Sequence, residues 1–344
     1  MSASAEHAQI VAARLRNLVT ADQPLLLISQ MPRSGGTLLL RLLDGHPACH
    51  VFPNELRRMP WSREELVAGP ERAWETLHDD KDERPLERDL HQAKRSLHGD
   101  RAAYPLLIAP LVQRELFTKL YEPDPRRALD AYMTAYFNGW LDNRNLRGPT
   151  PKRWIVAFSP SALTNPRKRE RFDELYPDGR VISIVRDPVS WYASAKRWSP
   201  RWERREDAIA AWTEAALAAR DWHARGRVIL VTFEHLLGET QATMRDLATR
   251  LGIEHAPELE TPTINGLPAR ANSSFPSDEA PRVSDEPLAR GRDDAQDAAW
   301  IEREAGALYA ELRELSSTSA TSSSGAGSSE TASQGSHARS SSRS

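Results

Sequence analysis

The stretch that most restricts the fold is "PLLLISQMPRSGGTLLLRLLDGHP", residues 24–47. Its first part is a short continuous apolar run, the pattern of a strand buried on both faces. Two adjacent glycines follow, and from Thr37 an apolar run of helical character extends to Gly45, where His46 and Pro47 stop it. Such a strand, tight turn and helix needs covering layers on both sides. Three further β-branched runs recur downstream, "RWIVAFSP" (153–160), "RVISIVRDP" (180–188) and "RVILVTFEHLL" (227–237). The long helical stretch "WERREDAIAAWTEAALAARDWHARG" separates the last two and carries Ile209, Trp212, Ala216 and Ala219 on one stripe. Buried strands alternating with helices predict an α/β chain: a three-layer, doubly wound fold with a central, largely parallel sheet and a P-loop-like strand-turn-helix. Ligands of such folds sit at the carboxyl ends of the strands, where the motifs of this chain also fall.

Other segments are less informative. Residues 8–19 and 125–144 have helical spacing, and Ser62 with Glu65 offers a capping box before a charged region reaching to about residue 100. Beyond Leu315 the chain becomes serine-rich, so residues 316–344 are expected to form a disordered tail. With 46 Lys and Arg against 48 Asp and Glu, the net charge is −2, so no global field draws the chain to nucleic acid or an anionic membrane. Any anion site must therefore be local. The single cysteine, Cys49, excludes an internal disulfide framework. The N-terminus lacks a leader pattern and no apolar run is long enough for stable membrane insertion, so a cytoplasmic location is the expectation.

A turn from buried strand to helix converges backbone N–H groups on one point, and the helix dipole adds positive charge there. Gly35 and Gly36 admit an anion close to the backbone, Ser34 and Thr37 supply hydroxyls, and Arg33 is the cation within the turn. The spacing and the lysine of a nucleoside-triphosphate loop are both missing, which fits a P-loop nucleotide kinase poorly. On this stretch alone, an ordinary glycine-containing turn with a solvated arginine stands equally open.

A second constellation bears on that choice. In "VRDPVSWYAS", Arg186 ends a buried run, Pro188 opens the next segment, and a helix over 189–197 would carry Ser194 within reach of a phosphate shared with Arg186. Two anion sites at neighbouring strand ends suit a ligand with phosphate at two positions. These residues resemble the sulfotransferases that use 3′-phosphoadenosine 5′-phosphosulfate (PAPS), in bacterial and carbohydrate-type members. "PRSGGTLL" is similar to the family's 5′-phosphosulfate loop, and Arg186, Asp187, Pro188 and Ser194 are similar to its 3′-phosphate motif. "DGHPACHVFPNE", "VTFEHLLGETQATMRDLATRLGI" and "ARANSSF" resemble further family segments.

The resemblance implies transfer of the sulfuryl group of PAPS to an acceptor hydroxyl, carbohydrate or glycolipid, with 3′-phosphoadenosine 5′-phosphate (PAP) as product and no metal. Donor contacts would come from Arg33, Ser34, Gly35, Gly36, Thr37 and Leu38 at the 5′ end, and from Arg186, Ser194 and Arg270 at the 3′ end. Glu55 is implied as general base with His50 as its rival, and Arg33 as the cation on the leaving phosphate. One domain over 1–315 is expected, with 62–150 mostly helical as a candidate acceptor-side insert. The chain departs from the family at "AFSP", where Phe158 stands in place of a lysine before Ser159. That departure keeps a second reading open, a module that binds the nucleotide without turnover. His46, Cys49 and His50 lie close together, but a zinc site lacks a fourth ligand. The basic run at 167–171 reads as a solvated helix start, and most tryptophans as packing.

Overall fold

In the computed structural model the described residues are 3–56, 58, 59, 61–79, 106–160, 162–269, 283 and 295–318. In chain order the elements are α1 (Ala3–Arg16), β1 (Leu25–Ile28), α2 (Gly36–Leu43), β2 (Cys49–Glu55), α3 (Arg63–Leu66), α4 (Pro70–Leu77), α5 (Pro110–Leu120) and α6 (Pro125–Gly139). They continue with β3 (Trp154–Phe158), α7 (Pro166–Leu175), β4 (Arg180–Val185), α8 (Pro188–Trp198), α9 (Arg205–Ala224), β5 (Val228–Thr232), α10 (Phe233–Gly238) and α11 (Thr240–Leu251). A two-residue hairpin, β6 (Thr263–Ile264) with β7 (Leu267–Pro268), and the helix α12 (Ala295–Thr318) complete them.

Strands β1 to β5 form one sheet in the order β2-β3-β1-β4-β5, every pairing parallel. Alternation along β1 assigns the layers. Leu26 and Ile28 join the core of α2, α10 and α11 on one face, whereas Leu25 and Leu27 join α6, α9 and α12 on the other. The three-layer, doubly wound expectation is thus met, and β1 sits at its centre with no side chain more than 2% exposed.

Several boundaries differ from those expected, for identifiable reasons. Residues 49–55, read only as a segment following the first helix, form the edge strand β2. Pro53 lies within it, between Val51 and Glu55, where the register with β3 shifts. An edge is where a sheet tolerates a proline. α6 stops at Gly139 rather than 144, because Gly139 packs against Gln113 and Trp140 turns into a bridge with Ile108. Ser62 does cap α3, its Oγ accepting the Glu65 N–H, and its hydroxyl donates to the Glu64 carboxylate. α12 continues to Thr318, past the point at which the tail was expected to begin; residues 319–344 lie outside the described residues. Among the described residues no helix is long and apolar enough to cross a membrane.

Candidate functional site

The turn after β1 is shaped by two residues in the left-handed region, Arg33 at φ 74° and Gly35 at φ 96°. An arginine at positive φ is uncommon and costs backbone strain. Gly35 is the N-cap of α2 and has no side chain with which to cap that end. The first N–H groups of α2 therefore have no partner within the helix. Neighbouring rings leave both glycines little room: a Cβ on Gly35 would lie 2.6 Å from the Phe233 ring, and one on Gly36 would collide with the Gln30 side-chain amide and lie 2.6 Å from the Phe158 ring. Phe158, the departure from the family pattern, thus forms a wall of the turn. Ser34 Oγ is buried with no hydrogen-bond partner among the described residues.

The second motif lies against this turn because β4 pairs directly with β1. Arg186, one residue past β4, donates through Nη1 to the Arg33 carbonyl at 3.0 Å and through Nε to Ser190 Oγ at 3.0 Å. The Trp191 indole N–H reaches the Pro32 carbonyl at 2.8 Å. Asp187 caps α8, its carboxylate accepting the Ser190 N–H, and Pro188 occupies the first helical turn. Ser194, also buried, lies one turn beyond Ser190 on the same face of α8. Arg186 is 5% exposed, with its guanidinium carbon 4.4 Å from the Phe233 ring centroid. Burial pushes that guanidinium down to about 10; Glu234 opposes the shift, and the charges of Arg33 and Arg197 add to it. Arg33 is lowered likewise, by burial first and by Arg197 second. Three guanidinium groups that repel one another form a place where an anion is favoured. Sequence reasoning missed Arg197 and Ser190, although both lie within the helix that carries Ser194.

Glu55 ends β2 and pairs with Phe158, which pairs with Ile28 at the end of β1. It is half-buried on the edge of the sheet that carries the turn and Arg186. His50 is not brought there. It pairs with Ile155, level with Leu25 at the opposite end of β1, and its ring stacks on Phe137 at 4.8 Å. Burial, with a smaller contribution from Lys152, pushes His50 down to about 3. Arg270 falls outside the described residues. Among the described residues no group of His, Cys, Asp and Glu side chains could hold a metal ion.

The model of the sulfotransferase family matches residues 24–257, from the start of β1 to beyond α11. The chain belongs to the sulfotransferase family. Among solved structures, the chain is similar to the sulfotransferase domain from the curacin biosynthetic pathway, at 18% identity and TM-score 0.48, covering 83% of this chain and 97% of that one. The sulfotransferase domain of the Synechococcus PCC 7002 olefin synthase gives 18% identity and TM-score 0.48 over 83% of this chain and 95% of that one. A sulfotransferase from Alicyclobacillus acidocaldarius gives 18% and 0.35 over 82% and 95%. Comparison with curated proteins finds no match. In this family member both sequence motifs fall inside the matched segment, and α12 falls outside it.

Proposed function

We propose that this protein transfers the sulfuryl group of PAPS to an acceptor hydroxyl and releases PAP. The observation that carries this reading is the pair of hydrogen bonds from Arg186 and Trp191 to the carbonyls of Arg33 and Pro32, which joins two anion sites into one clamp. The uncapped N-terminus of α2, the unpartnered Ser34 hydroxyl and the arginine cluster suit the phosphates of such a donor.

In the reaction the acceptor oxygen forms a bond to sulfur as the bond from sulfur to the 5′-phosphate oxygen breaks. Arg33 and the N–H groups of residues 34–38 stabilise charge growing on that leaving phosphate, and Thr37 adds a hydroxyl. Glu55 takes the acceptor proton as general base. His50 is the poorer base, since its buried ring lies at the other end of β2. Arg186 and Ser194 hold the 3′-phosphate, and with it the choice of PAPS over ATP. The acceptor class is read as carbohydrate or glycolipid on family grounds alone.

The expected result is a larger thermal shift with PAP than with ADP or AMP, and sulfuryl transfer from PAPS that Glu55→Gln abolishes without weakening PAP binding. Full activity of Glu55→Gln rejects the base assignment. Binding of PAP without transfer to any hydroxyl acceptor favours a non-catalytic module, with Phe158 in the place of a lysine as its basis. No preference for PAP rejects both.

A further inference from the structure

The helix α12 packs on α8, α9 and β5 although it lies outside the segment shared with the family. Its Tyr309 hydroxyl donates to Glu234 Oε2 at 2.6 Å, and Glu234 Oε1 accepts the Asp187 backbone N–H at 3.0 Å. The carbonyl of the same peptide unit, that of Arg186, accepts the Trp212 indole N–H at 3.1 Å. One peptide plane, immediately after β4, is therefore held at both edges, by α9 on one side and by α10 with α12 on the other. That plane sets the direction in which the Arg186 side chain leaves the backbone.

We infer that Tyr309 and Glu234 are positioning residues for the 3′-phosphate, fixing the Arg186–Asp187 peptide so that Arg186 meets that phosphate without rearrangement. The inference rests on the PAP reading of the site. Glu234 is half-buried, and a carboxylate drawn out of water is costly unless its oxygens are occupied. Here both are, one by the hydroxyl of a helix that the family segment does not include. Removing that hydroxyl frees Glu234 to turn, and the plane loses one of its two restraints. α12 itself stays docked through other contacts: Arg205 with Asp297 at 2.7 Å, Arg220 with Glu311 at 3.4 Å, and Arg250 Nη2 with the Ser316 carbonyl at 2.9 Å.

Titration calorimetry of the full chain with PAP and with AMP separates the possibilities, since the two ligands differ by the 3′-phosphate. Tyr309→Phe should weaken PAP about fivefold, the loss of one hydrogen bond, and leave AMP within about twofold. Glu234→Ala should weaken PAP about tenfold or more, whereas Glu234→Gln, whose carbonyl still accepts the Asp187 N–H, should recover most of it. A wild type that prefers PAP, with variants that keep that preference or lose both nucleotides equally, overturns this inference alone. A wild type that binds the two alike overturns the donor reading and this inference with it. Should Glu234→Ala fail to fold, Tyr309→Phe carries the test, because it keeps the ring and every ion pair of α12.

Discussion

At the scale of single residues, His50 shows how far placement can change a role. From the chain alone it was a rival base five positions before Glu55; in the fold it is a core residue stacked on Phe137. Its folded pKa of about 3 lies below the ordinary 6.5, so between those values the unfolded chain binds a proton that the folded protein does not. Stability is therefore full above pH 6.5 and falls as pH drops toward 3, by roughly 1.4 kcal/mol per pH unit from this group. His50→Phe keeps a ring beside Phe137 and removes the proton. Urea unfolding at pH 7 and pH 5 should show the variant gaining about 2 kcal/mol on the wild type between the two. An unchanged difference would mean that His50 titrates normally. Arg33, Gly35, Gly36 and Arg186 were legible because a strand-to-helix turn and a strand end limit which residues can serve. Ser190 and Arg197 were not, since a serine or an arginine inside a helix looks the same whether it faces solvent or a site.

Among elements, α8 carries most of the second motif and depends on its first turn. Asp187 accepts the Ser190 N–H at 2.8 Å, so Asp187→Ala should cost about 1 kcal/mol in urea denaturation, and Asp187→Asn only a few tenths. Equal losses would show that charge rather than capping matters there. The helices and strands with strong periodicity were readable: β1, β3, β4, β5 and α9. β2 was hidden because a proline and three polar residues break its pattern, and the edge of a sheet is where such a strand is accepted. α12 has a stripe of Ile301, Ala305, Leu308, Leu312 and Leu315, yet the alanines and the acidic residues between them dilute it.

For the molecule as a whole, the layered α/β fold was open to reading, because alternating buried runs and helices admit few topologies. The position of α12 was not, since nothing local says which face a terminal helix will cover. The same non-local assembly bears on how the chain reaches its native state. Arg186 and Arg33, hydrogen-bonded at 3.0 Å, are 153 residues apart, and β1 is completed only by strands that arrive from far along the chain. Loop closure over such a distance is slow to be rewarded, so this contact belongs after the rate-limiting step of folding. A ligand that grips both halves then acts on the return path. Saturating PAP should slow unfolding in denaturant jumps by about tenfold or more and leave the refolding rate unchanged, and faster refolding would place the clamp within the folding nucleus. On the proposed reading, a protein built this way guards its folded state with the product of its own reaction, and lasts longest where that nucleotide is abundant.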